Sequence, residues 1–264
     1  MRYRFVLTVT VFAALFSCEN PITSTGPQPD YFDENSEANK MNIFGVLRPN
    51  QNDNKADSFV FIETTHPFNS TWDSTSISDA EVVLYKSESN QLTDSLYFHY
   101  SEGDSANQPA YRPTTNFQAL AGATYRLVCQ KSGYPQLTGQ TTVPHVPSLL
   151  TDVSTMPQKR CEFIIQHDSL AAMYDIHIFT PEQQYTHRVL APVSGDLSVS
   201  FSLPENTATE GLLLVYAYDR NLSEYMTANL SIKPQTYQSS FSTVEGGYGV
   251  FGALNFLGVG IRFE

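Results

Sequence analysis

The side chains best able to do chemistry in this chain are six histidines and three cysteines, scattered through 264 residues. The histidines stand at positions 66, 99, 145, 167, 177 and 187, and none of them forms a compact ligand motif of the kind that binds zinc. His177 and His187 are the most interesting pair. Strands over 174–180 and 185–190 would make a hairpin able to bring them face to face, with Asp175 and Glu182 nearby as carboxylates. Pair spacing does not by itself produce convergent geometry, so ordinary strand and turn histidines are the favoured reading and no metal is expected. Cys129 has Tyr125 and Leu127 beside it, and Cys161 has Phe163 and Ile165, which places both thiols on apolar strand faces. Burial as reduced thiols is the commoner outcome. A Cys129–Cys161 disulfide is the alternative, open to a protein in an oxidising compartment. There is no C-x-x-C redox pair and no G-x-S-x-G nucleophile turn, and no two of the 27 acids are singled out as a glycosidase pair. Gly246-Gly247-Tyr248-Gly249 lacks the Lys-Ser/Thr ending of a phosphate loop. Gly246, Gly247, Gly249 and Gly252 are better read as serving chain geometry, through positive φ or a bulge. The expectation is a protein that is not an enzyme and holds no cofactor.

Cys18 is the third thiol and has a different setting. Arg2 and Arg4 precede an apolar run from Phe5 to Phe16, too short for a stop-transfer helix but long enough for the core of a secretory signal. The run ends at Leu15-Phe16-Ser17-Cys18, which resembles the bacterial lipobox. Residues 1–17 are therefore expected to be a lipoprotein signal peptide, and Cys18 the acylated first residue of the mature chain. Acyl chains contribute about 0.8 kcal/mol for each buried methylene, so this attachment would be effectively permanent. Residues 18–39 carry three prolines and many Ser, Thr and Asn with no apolar period, as a flexible tether would. An anchored protein in the cell outer membrane, facing the periplasm or the surface, is the location this implies.

The elements that must carry everything else are strands. The aromatic share of 12% against a charged share of 16% suits many short strands joined by turns. Met41, Ile43 and Leu47 alternate with Asn42, Phe44 and Val46; Val60 and Ile62 alternate with Phe59, Phe61 and Glu63; Ala80, Val82 and Leu84 alternate with Glu81, Val83 and Tyr85. Further strands are expected over 97–100, 124–131 and 136–143, bounded by turn-forming clusters at 49–57 and 102–109. That series makes 40–146 an immunoglobulin-like or transthyretin-like sandwich, with a boundary near Pro144–Pro147. Residues 147–264 read as a second β-sandwich-like domain. Cys161, Phe163 and Ile165 lie on one strand and Leu197, Val199, Phe201 and Leu203 on another, while Leu212 to Tyr218, apolar on both faces, should be a central strand. Leu222, Tyr225, Met226 and Leu230 fall at helical spacing after Asp219, and the fold class is all-β with at most one or two short helices. Removing the signal leaves 13 basic and 27 acidic side chains, a formal net charge of −14, which disfavours nucleic acid as a partner. Trp72, Phe68 and Tyr31 are the aromatic residues from which a sugar-stacking platform could be built, though local packing is the simpler reading. The tripeptides beginning at Asp73, Asp94, Asp104 and Asp168 resemble a bacterial O-glycosylation signal.

Several segments in order resemble a family of bacterial outer-membrane lipoproteins built on a domain of unknown function. They are Asn42 to Leu47, Ile77 to Tyr85, Gly122 to Leu127, Gly133-Tyr134 with Thr141 to Pro144, and the block Val244 to Ala253, which is the most distinctive. The resemblance implies a non-catalytic accessory or binding component associated with a TonB-dependent outer-membrane barrel. A free-standing surface module for glycan or peptide is the alternative, and a periplasmic hydrolase a more distant one.

Overall fold

A computed structural model describes residues 40–49, 58–65, 76–88, 91–103, 108–114, 117–153, 155–156, 160–204, 210–228 and 242–263. All of them fall in one compact unit. Cys18, His66, Trp72, Phe68, Tyr31 and the tripeptides at Asp73 and Asp104 lie outside the described residues.

Among the described residues the fold is all-β with one short helix. The first seven strands are β1 (Met41–Leu47), β2 (Phe59–Thr64), β3 (Glu81–Glu88), β4 (Gln91–Ser101), β5 (Ala110–Pro113), β6 (Thr124–Gln130) and β7 (Leu137–Thr142). After them come β8 (Thr155–Met156), β9 (Arg160–Ile165), β10 (Met173–Phe179), β11 (Gln184–Leu190), β12 (Leu197–Ser202) and β13 (Glu210–Tyr218). The helix α1 (Arg220–Ala228) follows, then β14 (Val244–Glu245) and the 16-residue β15 (Tyr248–Phe263). Twelve strands hydrogen-bond in the order β11-β10-β13-β15-β1-β2-β5-β4-β3-β6-β7-β14, β8 pairs with the end of β15, and β9 with β12 forms a separate two-stranded sheet.

Alternation decides which faces are buried. Met41, Ile43, Leu47, Val60, Ile62, Val82, Leu84 and Leu127 point into a first core, while β9 and β12 close a second core over β10, β13 and the end of β15, with Phe163, Tyr174, Ile176, Val215 and Ile261 inside. Leu212 to Tyr218 is central as its composition requires, between β10 and β15.

β15 joins the two cores. Its first half pairs in parallel with β1, from Asn42 opposite Tyr248 to Leu47 opposite Ala253, and its second half pairs antiparallel with β13, from Tyr218 opposite Leu254 to Glu210 opposite Arg262. Phe251 and Ala253 fill the first core and Ile261 and Phe263 the second. β14 pairs with β7, so residues 244–253 bond to strands from the 40–146 stretch although they follow the second set of strands in sequence. The glycine-rich block does not simply precede the last strand. Gly246 and Gly247 turn the chain against Gln136 and Met41, whereas Gly249 and Gly252 lie inside β15.

The other side of β15 is covered by α1, whose Leu222 packs with Val46, Val250 and Leu254 while Tyr225 contacts Phe44 at 5.7 Å between ring centres. Asp219 caps this helix: its Oδ1 accepts from the Leu222 amide at 2.9 Å, and its Oδ2 accepts from the Thr141 hydroxyl of β7. Beside it Asn221 donates to the carbonyls of Gln140 and Phe251 at 2.7 and 2.8 Å, and Asn255 donates to Pro144 at 3.0 Å. These bonds hold the helix, β7 and β15 to one another where the two cores meet.

One further buried polar contact stiffens the second sheet. The Asp175 side chain is 3% exposed and receives both Nε and Nη2 of Arg188 from the neighbouring strand, at 2.6 and 2.7 Å. Replacing Arg188 with Gln strands a buried carboxylate, and we expect a loss of about 2 kcal/mol in denaturant unfolding, with Asp175→Asn combined with Arg188→Gln recovering part of it.

Candidate functional site

The histidine hairpin forms as the spacing suggests, but the register separates the pair. His187 is opposite Ile176 and His177 opposite Thr186, so adjacent positions send the two rings to opposite faces. His177 stacks on Phe179 at 6.0 Å and meets Gln184 and Thr186 through Nδ1, while His187 stacks on Phe201 at 5.1 Å. Desolvation lowers the His177 pKa, with Asp175 and Arg188 pulling in opposite directions. Asp175 is committed to Arg188, and Glu182 is exposed in the turn. Elsewhere His145 pairs with Asp168 at 3.1 Å. Burial opposes ionisation of Asp168, but bonds from the Leu170 amide and from the His145 ring and amide outweigh it and lower its pKa. Among the described residues no group of three or more His, Cys, Asp or Glu side chains is arranged to hold a metal.

Cys129 and Cys161 are not disulfide-bonded; each is buried in a different core. Burial pushes both thiols up to about 12, which removes the thiolate needed for nucleophilic attack or metal binding at neutral pH. Iodoacetamide at pH 8 is therefore expected to leave both unmodified in the native protein and to alkylate both after denaturation, as read by peptide mass mapping.

The late glycines act through contact. A side chain at Gly249 would lie 1.9 Å from the Ile43 carbonyl oxygen, and one at Gly252 would lie 2.5 Å from Leu222 and 2.8 Å from the Asp219 carboxylate. Close approach of β1 and of the α1 N-terminus to β15 requires glycine at both positions.

Among the described residues a cleft of about 590 Å³ lies at the end of the first core, between β3, β4 and β6. Its size lies within the range usual for small-molecule sites. Leu84, Leu96, Phe117 and Tyr125 form its apolar floor. Register explains the placing: Leu84 faces Leu96 across the β3–β4 pair, and Lys86 lies between Asp94 on one side and Tyr125 on the other. A shift in register between Lys86 and Ser87 distorts the pair just beyond these residues. Phe117 stands edge-on to Tyr125 at 5.7 Å and to Phe98 at 6.5 Å, and the Tyr125 hydroxyl accepts from the Leu120 amide at 3.0 Å, which holds the 117–120 segment along one wall.

Lys86, Asp94, Thr114 and Gln118 supply a rim with both charges, a hydroxyl and an amide. Tyr97 and Leu120 are each 51% exposed beside it. An apolar, partly aromatic floor under a mixed polar rim suits a neutral ligand with several hydrogen-bonding groups, such as a sugar or a short peptide segment. The sequence did not single out this cleft; the Asp94 tripeptide, which resembles an O-glycosylation signal, falls along it, with Asp94, Ser95 and Leu96 all lining it. Phe117 and Tyr125, which shape it, carry no sequence signal distinguishing them from other core aromatics. No helix among the described residues is long and apolar enough to cross a membrane. The chain matches no protein-family model and no curated protein.

Proposed function

We propose that this is a non-catalytic outer-membrane lipoprotein, tethered through an acylated Cys18, that serves as a binding or accessory component beside a TonB-dependent barrel. The observation that supports the binding role is the cleft floored by Leu84, Leu96, Phe117 and Tyr125, which is concave and has a mixed polar and apolar lining. The barrel partner follows from the resemblance of the segments between Asn42 and Ala253 to accessory lipoproteins. A pull-down of the intact acylated protein from mildly solubilised membranes tests it: recovery of a barrel protein is expected, and recovery of none counts against the accessory role.

The cleft also favours a second reading, a free-standing surface module for glycan or peptide. That reading requires the purified protein to bind such a ligand without any partner, and Phe117→Ala to weaken the binding while leaving barrel recovery unchanged. Purified protein with no ligand affinity, together with barrel recovery, selects the accessory reading.

A further inference from the structure

A second grouping lies outside the first core, at β2 and β5, the two strands that precede β4 of the cleft in the strand order. Val60 of β2 pairs with Tyr111 of β5 and both point inward, so Phe59 and Arg112 face outward, as does Arg48 just past the end of β1. The Arg48 guanidinium lies 5.9 Å from the centre of the Phe59 ring and that of Arg112 lies 6.0 Å from it. The two cationic carbons are thus less than about 12 Å apart. Local bonds hold the arrangement: the Arg48 amide donates to the Ser58 hydroxyl at 3.0 Å, and that hydroxyl donates back to the Arg48 carbonyl. Phe59 is packed against Phe61 at 4.8 Å and Phe44 at 6.0 Å, so the ring is a fixed post.

Among the described residues neither guanidinium group has a carboxylate partner, in a chain with 27 acids against 15 bases. Arg160, Arg188, Arg220 and Arg262 each have one. Among the described residues the Arg112 guanidinium bonds only to the Gln108 carbonyl, at 3.4 Å, and Arg48 Nε is buried with no acceptor. A charged donor kept from water and left unbonded is costly, and in a native protein it calls for an explanation, an acceptor supplied from outside the chain being one. Arginines resting against an aromatic ring keep the edge of the N–H fork available, and that fork matches the oxygens of an anion. One carboxylate satisfies one fork with its two oxygens. A phosphoryl group has more acceptor oxygens and up to two charges, so it can be shared between two separated forks.

We propose that Arg48 and Arg112, whose guanidinium groups both rest against Phe59, form a binding site for a phosphoryl group, carried by a lipid headgroup or by a soluble phosphorylated ligand. The test uses the full acylated protein labelled with ¹⁵N-arginine in detergent micelles. Its Arg48 and Arg112 Nε–H resonances are assigned by their loss in Arg48→Lys and Arg112→Lys. Titration with inorganic phosphate, against potassium chloride at equal ionic strength, should move both resonances along one saturable curve. Arg112→Gln should weaken the response of Arg48 about tenfold, the loss of one charge-assisted contact. Should Arg48→Lys not fold, Arg112→Lys and Arg112→Gln carry the same measurement.

A parallel arm places the protein in nanodiscs of phosphatidylcholine alone or with phosphatidic acid. Response to phosphate without response to phosphatidic acid assigns a soluble ligand, and the reverse assigns a lipid headgroup. Either supports the site. No saturable shift in both arms, or an equal shift with chloride, overturns it.

Discussion

Gly249→Ala is expected to destabilise the protein by about 4 kcal/mol or more, moving the midpoint of urea unfolding down by roughly 2 M. Gly249 has φ +105°, a region in which an L side chain is strained by about 1–3 kcal/mol before any contact is considered. The added methyl would also lie 1.9 Å from the Ile43 carbonyl oxygen and 2.9 Å from its carbon, both main-chain atoms of the paired strand. They cannot swing aside as a flexible side chain would. Relief requires β1 and β15 to separate where Ile43 faces Gly249, in the register that seats Phe251 and Ala253 in the first core. Gly260→Ala is the control. It is in the same strand, has no heavy atom within 4 Å of the added carbon, and is expected to change stability by less than about 1 kcal/mol. Equal losses in the two variants would mean that the parallel β1–β15 pairing does not carry the weight given to it here.

The second large effect concerns Asp219, which caps α1 and accepts from Thr141. Asp219→Ala removes the cap, and it leaves the buried Thr141 hydroxyl without that acceptor and the Leu222 amide without its own, so a loss of about 3 kcal/mol is expected. Asp219→Asn keeps the shape and separates the charge from the cap. Burial raises the Asp219 pKa from the ordinary 3.8 to about 6, against the lowering effect of Thr141 and neighbouring amides. The folded state therefore holds its proton more tightly than the unfolded state. The associated stability is fully present below pH 3.8 and is lost as the pH rises through about 6, a change on the order of 3 kcal/mol. Between pH 7 and pH 5 wild type should gain stability from this group, and Asp219→Asn should lack that gain. Matching pH profiles in urea titrations of the two proteins would show that Asp219 ionises as it would in water.

Asp219 also shows how local and distant information combine. Its place before Leu222, Tyr225 and Met226 is a readable helix start, and the helix forms there. Its partner Thr141 is 78 residues away, and no local pattern could name it. The same division runs through the cysteines. Apolar neighbours marked Cys129 and Cys161 as buried, but that the two thiols enter different cores depends on which strands close over which sheet.

By itself the sequence determined the strand class, the inward and outward faces of β1, β2 and β3, the central character of β13 and the short helix after Asp219. Those features follow from side-chain alternation and helical spacing, which are set within a few residues. Tertiary structure alone decided that β15 runs parallel to β1 after some 200 intervening residues, that a one-residue register sends His177 and His187 to opposite faces, and that Phe117 and Tyr125 shape a cleft. It also decided that Arg48 and Arg112 meet at Phe59. Pairing partners and register are properties of the whole folded chain, because their free energy comes from burying faces that lie far apart in sequence.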